Sequence, residues 1–272
     1  MDQTGLFAVV QTDARQTAAA RALRRAGCQV VGAEQIAEAD YILLPLPLDD
    51  ERVGLARLLR AAKPGAVALG GKVSARAQLA AQAAGIELID YFARPELAVL
   101  NAIPTAEGCI GLLLQHRRRT LWGSSVLVTG YGQVARALTA RLLGLGAQVT
   151  VAARSAAQRA EARSAGCCAV ELTRLVQTAA GFDTVVNTVP ALLLTEAVQQ
   201  RLPPQSLIVD LASRPGGTDF AAAKAMGHTA LHALSLPALC APESAGEYVA
   251  ATVLEILAER TPPGPKGEKY HE

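Results

Sequence analysis

An apolar run, Val126-Leu127-Val128-Thr129, breaks into Gly130-Tyr131-Gly132-Gln133-Val134-Ala135 and then into helix-forming residues. Gly-x-Gly-x-x-Ala at a strand-to-helix junction is the spacing that seats a dinucleotide pyrophosphate. Gly130 permits the tight turn, Gly132 lets the backbone approach the phosphates, and small Ala135 lets the helix lie close to the strand. The phosphates then meet the free N–H groups of the helix N-terminus. Tyr131, Gln133 and Val134 are therefore read with the two glycines as a cofactor loop. Glycines also mark ordinary turns, so the motif gains its weight from its surroundings.

One βαβ unit later, Gln148-Val149-Thr150-Val151-Ala152-Ala153 reads as a second strand, followed by Arg154 and Ser155. A site for NAD usually places Asp or Glu there, to accept hydrogen bonds from the ribose hydroxyls. A guanidinium beside a hydroxyl instead suits a 2′-phosphate, which points to NADP. The plain alternative is a solvated arginine at a strand end. Asn187-Thr188-Val189-Pro190 closes a later apolar strand, and Pro190 holds Val189 extended. That strand end is expected on the nicotinamide side of the cofactor, the alternative being an asparagine that caps a turn.

A second set of residues suits an organic anion. Ser213-Arg214-Pro215-Gly216-Gly217 follows the strand Leu207 to Leu211. A stiff loop with an arginine and exposed amides would take a carboxylate. Lys72 follows Gly70-Gly71, and Arg94 follows Asp90-Tyr91-Phe92-Ala93, each just past a strand; a solvated turn is the alternative for Lys72. Asn101 and Thr105 stand at the head of a segment in which Pro104 would start a helix. Glu107 would then lie in the first turn, either as a candidate base or simply complementing the helix dipole. Gly108 and Gly111, three apart, would let another backbone approach.

His228 and His232 have no evident carboxylate partner and read as structural. The five cysteines, Cys28, Cys109, Cys167, Cys168 and Cys240, show no CxxC spacing, so neither a disulfide framework nor a metal site is expected.

The elements that must position these residues alternate between strands and helices. Short strands are expected at Leu6–Val10, Cys28–Val31, Tyr41–Leu44, Ala66–Leu69 and Ile86–Ile89, with helices after Asp13 and near 52–62 and 74–84. The fold class is therefore α/β, with two Rossmann-like or flavodoxin-like parallel-sheet domains and an interdomain cleft. Residues 1–100 form an N-terminal, substrate-side α/β domain, and 101–120 a crossing helix. Residues 121–242 form the NADP-binding Rossmann domain, and 243–260 a C-terminal helix returning to the first domain. The Pro- and Gly-rich residues 261–272 read as a disordered tail.

A length of 272 residues suits two domains. A net charge of +2 and a charged fraction of 18% give no sign of nucleic acid as a partner. The basic cluster His116-Arg117-Arg118-Arg119 lacks interleaved aromatics. No apolar run is expected to reach the roughly 18 residues of a membrane span, so a soluble cytoplasmic protein is expected.

Taken together, NAIPTAEG (101–108), GYGQVAR (130–136), VAARS (151–155), NTVPA (187–191), DLASRPGGTDF (210–220) and LPALCAPESAG (236–246) resemble the A subunits of dipicolinate synthase. The resemblance is nearly collinear from residue 90 to 258 and looser before that. Glu243 stands where those proteins carry lysine, which reverses a charge, and Arg214 replaces a lysine, which keeps one.

The resemblance implies oxidation of dihydrodipicolinate to pyridine-2,6-dicarboxylate with NADP in the mother cell of a sporulating bacterium. It implies as partners a small dicarboxylate substrate and a flavoprotein-like B subunit, and leaves a homo-oligomer open. Two other readings compete. One is another two-domain dehydrogenase of the hydroxy-acid, shikimate or alanine type; the other is a non-catalytic nucleotide-binding subunit.

Overall fold

The computed structural model describes residues 5–48 and 50–260; the expected tail at 261–272 lies outside them. The chain divides into two compact units, one drawn from Met1–Ala98 and Pro242–Glu272, the other from Val99–Ala241.

The first unit contains β1 (Leu6–Val9), α1 (Ala14–Arg25), β2 (Gln29–Gly32), β3 (Tyr41–Leu43), α2 (Asp50–Val53), α3 (Leu55–Ala61), β4 (Val67–Gly70), α4 (Ala75–Ala84) and β5 (Glu87–Asp90). Its all-parallel sheet has the order β2-β1-β3-β4-β5, so strand order reverses between β1 and β3. Asp13 and Ser74 cap α1 and α4 through their side chains, which is why the helices begin there. Phe7, Leu23, Leu43, Tyr91 and Val253 fill one side of this sheet.

The helix α5 (Pro95–His116) continues the chain across the boundary between the units. Two expectations are corrected here. Pro104 lies inside this helix and does not start it, so Glu107 sits mid-helix and not in a first turn. The joined helix also has 22 residues and a mean hydropathy of 1.7 in its most apolar window, which meets the length and composition of a membrane span. Of that window, 44% is buried within the protein. Apolar residues recur at helical spacing on both sides of the proline, and Leu97, Ala102, Ala106, Cys109 and Leu113 are all buried. Burying such side chains, at roughly 1.5–3 kcal/mol for each larger one, outweighs the roughly 3 kcal/mol cost of an internal proline.

The second unit contains β6 (Ser125–Thr129), α6 (Gln133–Gly144), β7 (Gln148–Ala153), α7 (Ala156–Ser164), β8 (Cys168–Glu171), α8 (Leu175–Thr178), β9 (Thr184–Asn187), α9 (Glu196–Gln199), β10 (Leu207–Asp210), α10 (Phe220–Ala225), β11 (Thr229–His232) and α11 (Leu236–Cys240). The six strands are parallel in the order β11-β10-β9-β6-β7-β8, the doubly wound Rossmann order with its reversal between β6 and β9. Register aligns the strand ends in one row. Thr129 stands opposite Ala152 and Asn187, and Asp210 opposite Asn187 and His232.

Gly108 of α5 allows close packing in this unit, since a Cβ there would lie 2.8 Å from Cys240 Sγ and 3.1 Å from Leu236 Cβ. Gly111 meets nothing within 4 Å and does not share that role.

The last helix, α12 (Pro242–Arg260), belongs to the first unit and packs along α1. Gly246 is needed there because a Cβ would come within 2.5 Å of the Arg15 carbonyl oxygen. Glu243 pairs with Arg21 across these helices, and Glu247 pairs with Arg25 at 2.8 Å.

Candidate functional site

The row of carboxyl-terminal strand ends in the second unit carries most of the residues singled out by type and spacing. Gly130 has φ +85°, and a Cβ there would lie 2.6 Å from Val189 Cγ2 and 2.7 Å from Thr188 Oγ1. Only glycine fits without displacing the neighbouring strand end. Its N–H donates to the Ala152 carbonyl at 2.8 Å, which locks the turn onto β7.

Gly132 is the opposite case, because nothing lies within 4 Å of the place its Cβ would take. It caps α6 with no side-chain hydrogen bond, and the first turn of α6 has no acidic residue. The helix therefore starts with amides that no side chain has claimed, which is the requirement for a phosphate. Gln133 is exposed, Val134 half-buried and Tyr131 buried, with the Arg136 guanidinium 5.6 Å from the Tyr131 ring centre.

At the end of β7, Arg154 and Ser155 are exposed. The Arg154 guanidinium has no hydrogen bond or ion pair among the described residues. Its carbonyl and that of Ala153 are held by Arg159 Nη1, at 2.6 and 2.9 Å. Ser155 is the N-cap of α7, and its hydroxyl accepts a long bond of 3.5 Å from the Gln158 N–H. Two arginines thus divide the work, one shaping the turn and one offering charge to solvent.

The β9 and β10 ends are built differently. Asn187 is fully buried and its amide is saturated: Oδ1 accepts from Thr129 Oγ1 at 2.6 Å and from the Val189 N–H at 3.1 Å. Its Nδ2 donates to the Val189 carbonyl at 3.0 Å and to Asp210 Oδ1 at 2.8 Å. Thr188 donates to the Thr129 carbonyl at 2.6 Å, while Val189 is half-buried and Pro190 exposed. Asn187 therefore positions the 188–190 segment, and its own polar atoms are spent.

The neighbouring loop needs a correction. In place of amides facing a ligand, the Gly217 N–H donates to Asp210 Oδ2 at 2.7 Å and the Gly216 N–H to the Ser213 carbonyl at 2.9 Å. Asp210, fully buried, also accepts from the Ala212 N–H at 3.0 Å. A buried carboxylate without a cation needs such donors, and the loop amides are the ones at hand. Ser213 and Arg214 remain on the surface, and Arg214 has no ion-pair partner among the described residues.

Glu107 also departs from its candidate role. It is exposed, and its Oε1 accepts from Arg141 Nε at 3.3 Å and Nη2 at 3.2 Å. An exposed carboxylate that faces a guanidinium on a helix surface makes an ordinary surface ion pair, and its oxygen is directed at Arg141. Thr105 spends its hydroxyl on the Asn101 carbonyl at 2.8 Å, one turn back in α5; Asn101 itself is half-buried.

In the first unit, Lys72 occupies a left-handed turn with φ +59°. Its N–H donates to Asp90 Oδ1 at 3.0 Å, and its Nζ lies 5.4 Å from the Phe92 ring centre. Arg94, expected to offer a cation to substrate, is instead paired with Glu259 of α12 and lies 3.9 Å from Glu96. The Glu259 carboxylate raises its pKa further above the ordinary arginine value.

Sequence reasoning passes over Arg15, which is 4% exposed beside the β3 end, because α1 carries several arginines and nothing in their spacing distinguishes it.

The remaining titratable candidates offer no reactive group. Burial pushes the Cys109 thiol up to about 12 and raises Cys28, Cys167 and Cys240 as well, so none is a ready thiolate near neutrality. His228 and His232 place Nε2 against the backbone carbonyls of Gln199 (3.2 Å) and Ala212 (2.9 Å). No group of three or more His, Cys, Asp or Glu among the described residues could hold a metal. An open depression of about 1460 Å³ lies at the opposite, amino ends of the strands. Arg118, Arg119 and Trp122 line it, as does Arg117, which is pinned to Asp183 at 2.8 Å.

Strand order, an uncapped α6 behind a glycine turn and a cation at the β7 end with no partner among the described residues agree with a family match. Residues 112–212 match the model of the D-isomer specific 2-hydroxyacid dehydrogenase NAD binding domain. That segment is thus similar to the nicotinamide-dinucleotide-binding domain of a dehydrogenase.

Its relatives narrow the class. The chain is 39% identical over 173 residues to the A subunit of dipicolinate synthase from Bacillus subtilis (strain 168), a match that spans 64% of this chain and 58% of that relative. Among solved structures, the dipicolinate synthase A chain of Bacillus subtilis superposes with a TM-score of 0.81 at 30% identity, over 93% of this chain and 96% of that one. The corresponding A subunit from Bacillus halodurans gives 0.84 at 26% identity, over 93% and 97%. The chain belongs to the family of dipicolinate synthase A subunits.

Proposed function

We propose that the chain oxidises dihydrodipicolinate to pyridine-2,6-dicarboxylate with NADP, serving endospore formation in the mother-cell cytoplasm together with a flavoprotein-like B subunit. Family membership carries the choice of reaction. Arg154, exposed beside Ser155 and without a partner among the described residues, supports the choice of cofactor, since a guanidinium and a hydroxyl suit a 2′-phosphate.

The residues present fit the cofactor. Open space at Gly132 and unclaimed amides at the start of α6 would receive the pyrophosphate, Arg154 and Ser155 the adenosine end, and the Thr188-Val189-Pro190 segment the nicotinamide end. The bound cofactor supplies a hydride acceptor. The substrate loses a hydride from one ring carbon and a proton from the ring, and the product is aromatic. Much of the driving force therefore lies in the substrate, and the protein's main task is orientation.

Arg214 is suited to hold one substrate carboxylate through charge-assisted hydrogen bonds. Lys72 and Asn101 remain in this proposal as further substrate contacts.

The test is to incubate the purified chain, alone and with a B-type partner, with dihydrodipicolinate and either NADP or NAD. Reduced nicotinamide is expected with NADP in preference to NAD. Its absence from every mixture would refute the reading.

A further inference from the structure

We propose that Arg15 is a carboxylate anchor of the first unit, binding an organic acid at the carboxyl ends of β1 and β3; the choice of a dicarboxylate as that acid rests on the function proposed above.

In an open parallel sheet, ligands bind outside the carboxyl ends of the strands where strand order reverses. In the first unit that point lies between β1 and β3, and the loops there are the β1–α1 turn and Leu44-Pro45-Leu46-Pro47. Arg15 lies in the first turn of α1, directly after β1, and is 4% exposed.

Its bonds account for only part of the guanidinium. Nη2 donates to the Leu46 carbonyl and, at 3.1 Å, to Asp13 Oδ2. Nε is enclosed without any hydrogen-bond partner, and Nη1 has none among the described residues. The Asp13 carboxylate is shared, because its Oδ1 caps α1 at the Gln16 N–H, 3.0 Å away. Beside Arg15, Gln16 is fully buried and its Oε1 is likewise enclosed without a partner.

This arrangement is unfavourable to a cation in two ways. Burial leaves donors unpaired, and the first turn of a helix is its positive end. The exposed arginines Arg21, Arg25 and Arg94 of the same unit pair with Glu243, Glu247 and Glu259, whereas the one carboxylate beside Arg15, Asp13 at 3.1 Å, reaches only Nη2 and also caps α1. One added carboxylate would relieve both costs at Arg15, and a planar fork is the donor geometry that holds a carboxylate best.

The surroundings are stiff enough to keep such a site formed. Tyr91 Oη and Gln16 Nε2 both donate to the Leu44 carbonyl, at 3.0 and 3.4 Å. Gly71 bonds the opposite side of the loop, donating to the Pro45 carbonyl at 3.1 Å and accepting from the Leu48 N–H at 2.7 Å. Lys72 follows Gly71 directly, which brings a second basic residue to the same end of the sheet.

The experiment titrates the full-length chain calorimetrically, in the presence of NADPH, with pyridine-2,6-dicarboxylate and, separately, with the 2-oxo acid pyruvate. Arg15→Gln is expected to weaken the dicarboxylate about 10- to 100-fold, as loss of hydrogen bonds to a charged group does. Arg15→Lys, which keeps the charge and loses the fork, is expected to fall between the two, with NADPH affinity unchanged in both variants.

Dicarboxylate affinity equal to wild type in either folded variant overturns the proposal. If Arg15→Gln does not fold, Arg15→Lys decides the matter alone. Should the wild type bind only pyruvate and lose it in the variants, the anchor stands and the proposed function falls. Binding of neither acid by the wild type overturns both.

Discussion

Two ends of one row of strands in the second unit look alike in sequence and are opposite in construction. Gly130-Tyr131-Gly132 and Arg214-Pro215-Gly216-Gly217 both pair glycines with a strand end. At β6 and β7, the start of α6 is uncapped, Gly132 faces open space and Arg154 has no partner among the described residues. At β9 and β10, the Gly217 N–H, the Asn187 amide and the Asp210 carboxylate are consumed by one another, and the Gly216 N–H by the Ser213 carbonyl. The difference comes from what stands behind each loop. Asp210 is a buried carboxylate that must find donors, and it draws the amides inward; no such group stands behind Gly132. A glycine loop is a binding loop only where nothing inside the protein needs its amides first.

The strongest test of this contrast removes the carboxylate. Asp210→Ala leaves Asn187 Nδ2 and the N–H groups of Ala212 and Gly217 without their acceptor. The expected cost is at least about 3 kcal/mol of stability, at roughly 1–3 kcal/mol for each buried donor left without its acceptor. Urea unfolding measures it, and a loss under about 1 kcal/mol would mean that solvent or backbone shifts replace the network easily.

The matching test on the other side is Arg154→Ala. Because its side chain is exposed and has no hydrogen bond or ion pair among the described residues, stability is expected to stay within about 0.5 kcal/mol. NADPH binding is expected to weaken about 10- to 100-fold, with NADH binding little changed. Equal loss of both, followed by fluorescence titration, would place Arg154 outside cofactor discrimination. Arg159→Met is expected to give a smaller loss of the same preference, since Arg159 Nη1 fixes the carbonyls on which the Arg154 turn rests.

Much of this is legible in the sequence because it depends on local rules. Alternating apolar runs and helical stretches specify parallel sheets, and Gly130, Gly132 and Ala135 announce a strand-to-helix turn whose backbone demands are local. Asp13 caps the helix that follows it, as its position suggests.

What escapes depends on contacts between segments distant in the chain. Nothing near Glu107 in sequence indicates that Arg141 will pair with it, nor does anything near Arg94 point to Glu259. Proline ordinarily prefers helix starts, and at Pro104 the burial of α5 overrides that preference. Arg15 looks like any helical arginine until the strand order places it at the reversal point of its sheet.

The smaller effects concern the surface residues left beside the saturated network. Arg214→Ala is expected to raise the KM for the dicarboxylate about 10-fold while leaving NADPH affinity alone, because its loop is held by Asp210 and not by its own side chain. Glu107→Gln has the smallest expected effect. It breaks an exposed pair with Arg141, worth at most about 1 kcal/mol, and kcat and its pH profile are expected to remain those of the wild type. A base would behave otherwise, because the amide cannot take a proton and kcat would fall by about 100-fold or more across the pH range. Such a fall would return Glu107 to the chemistry and show that the Arg141 pair opens when substrate binds.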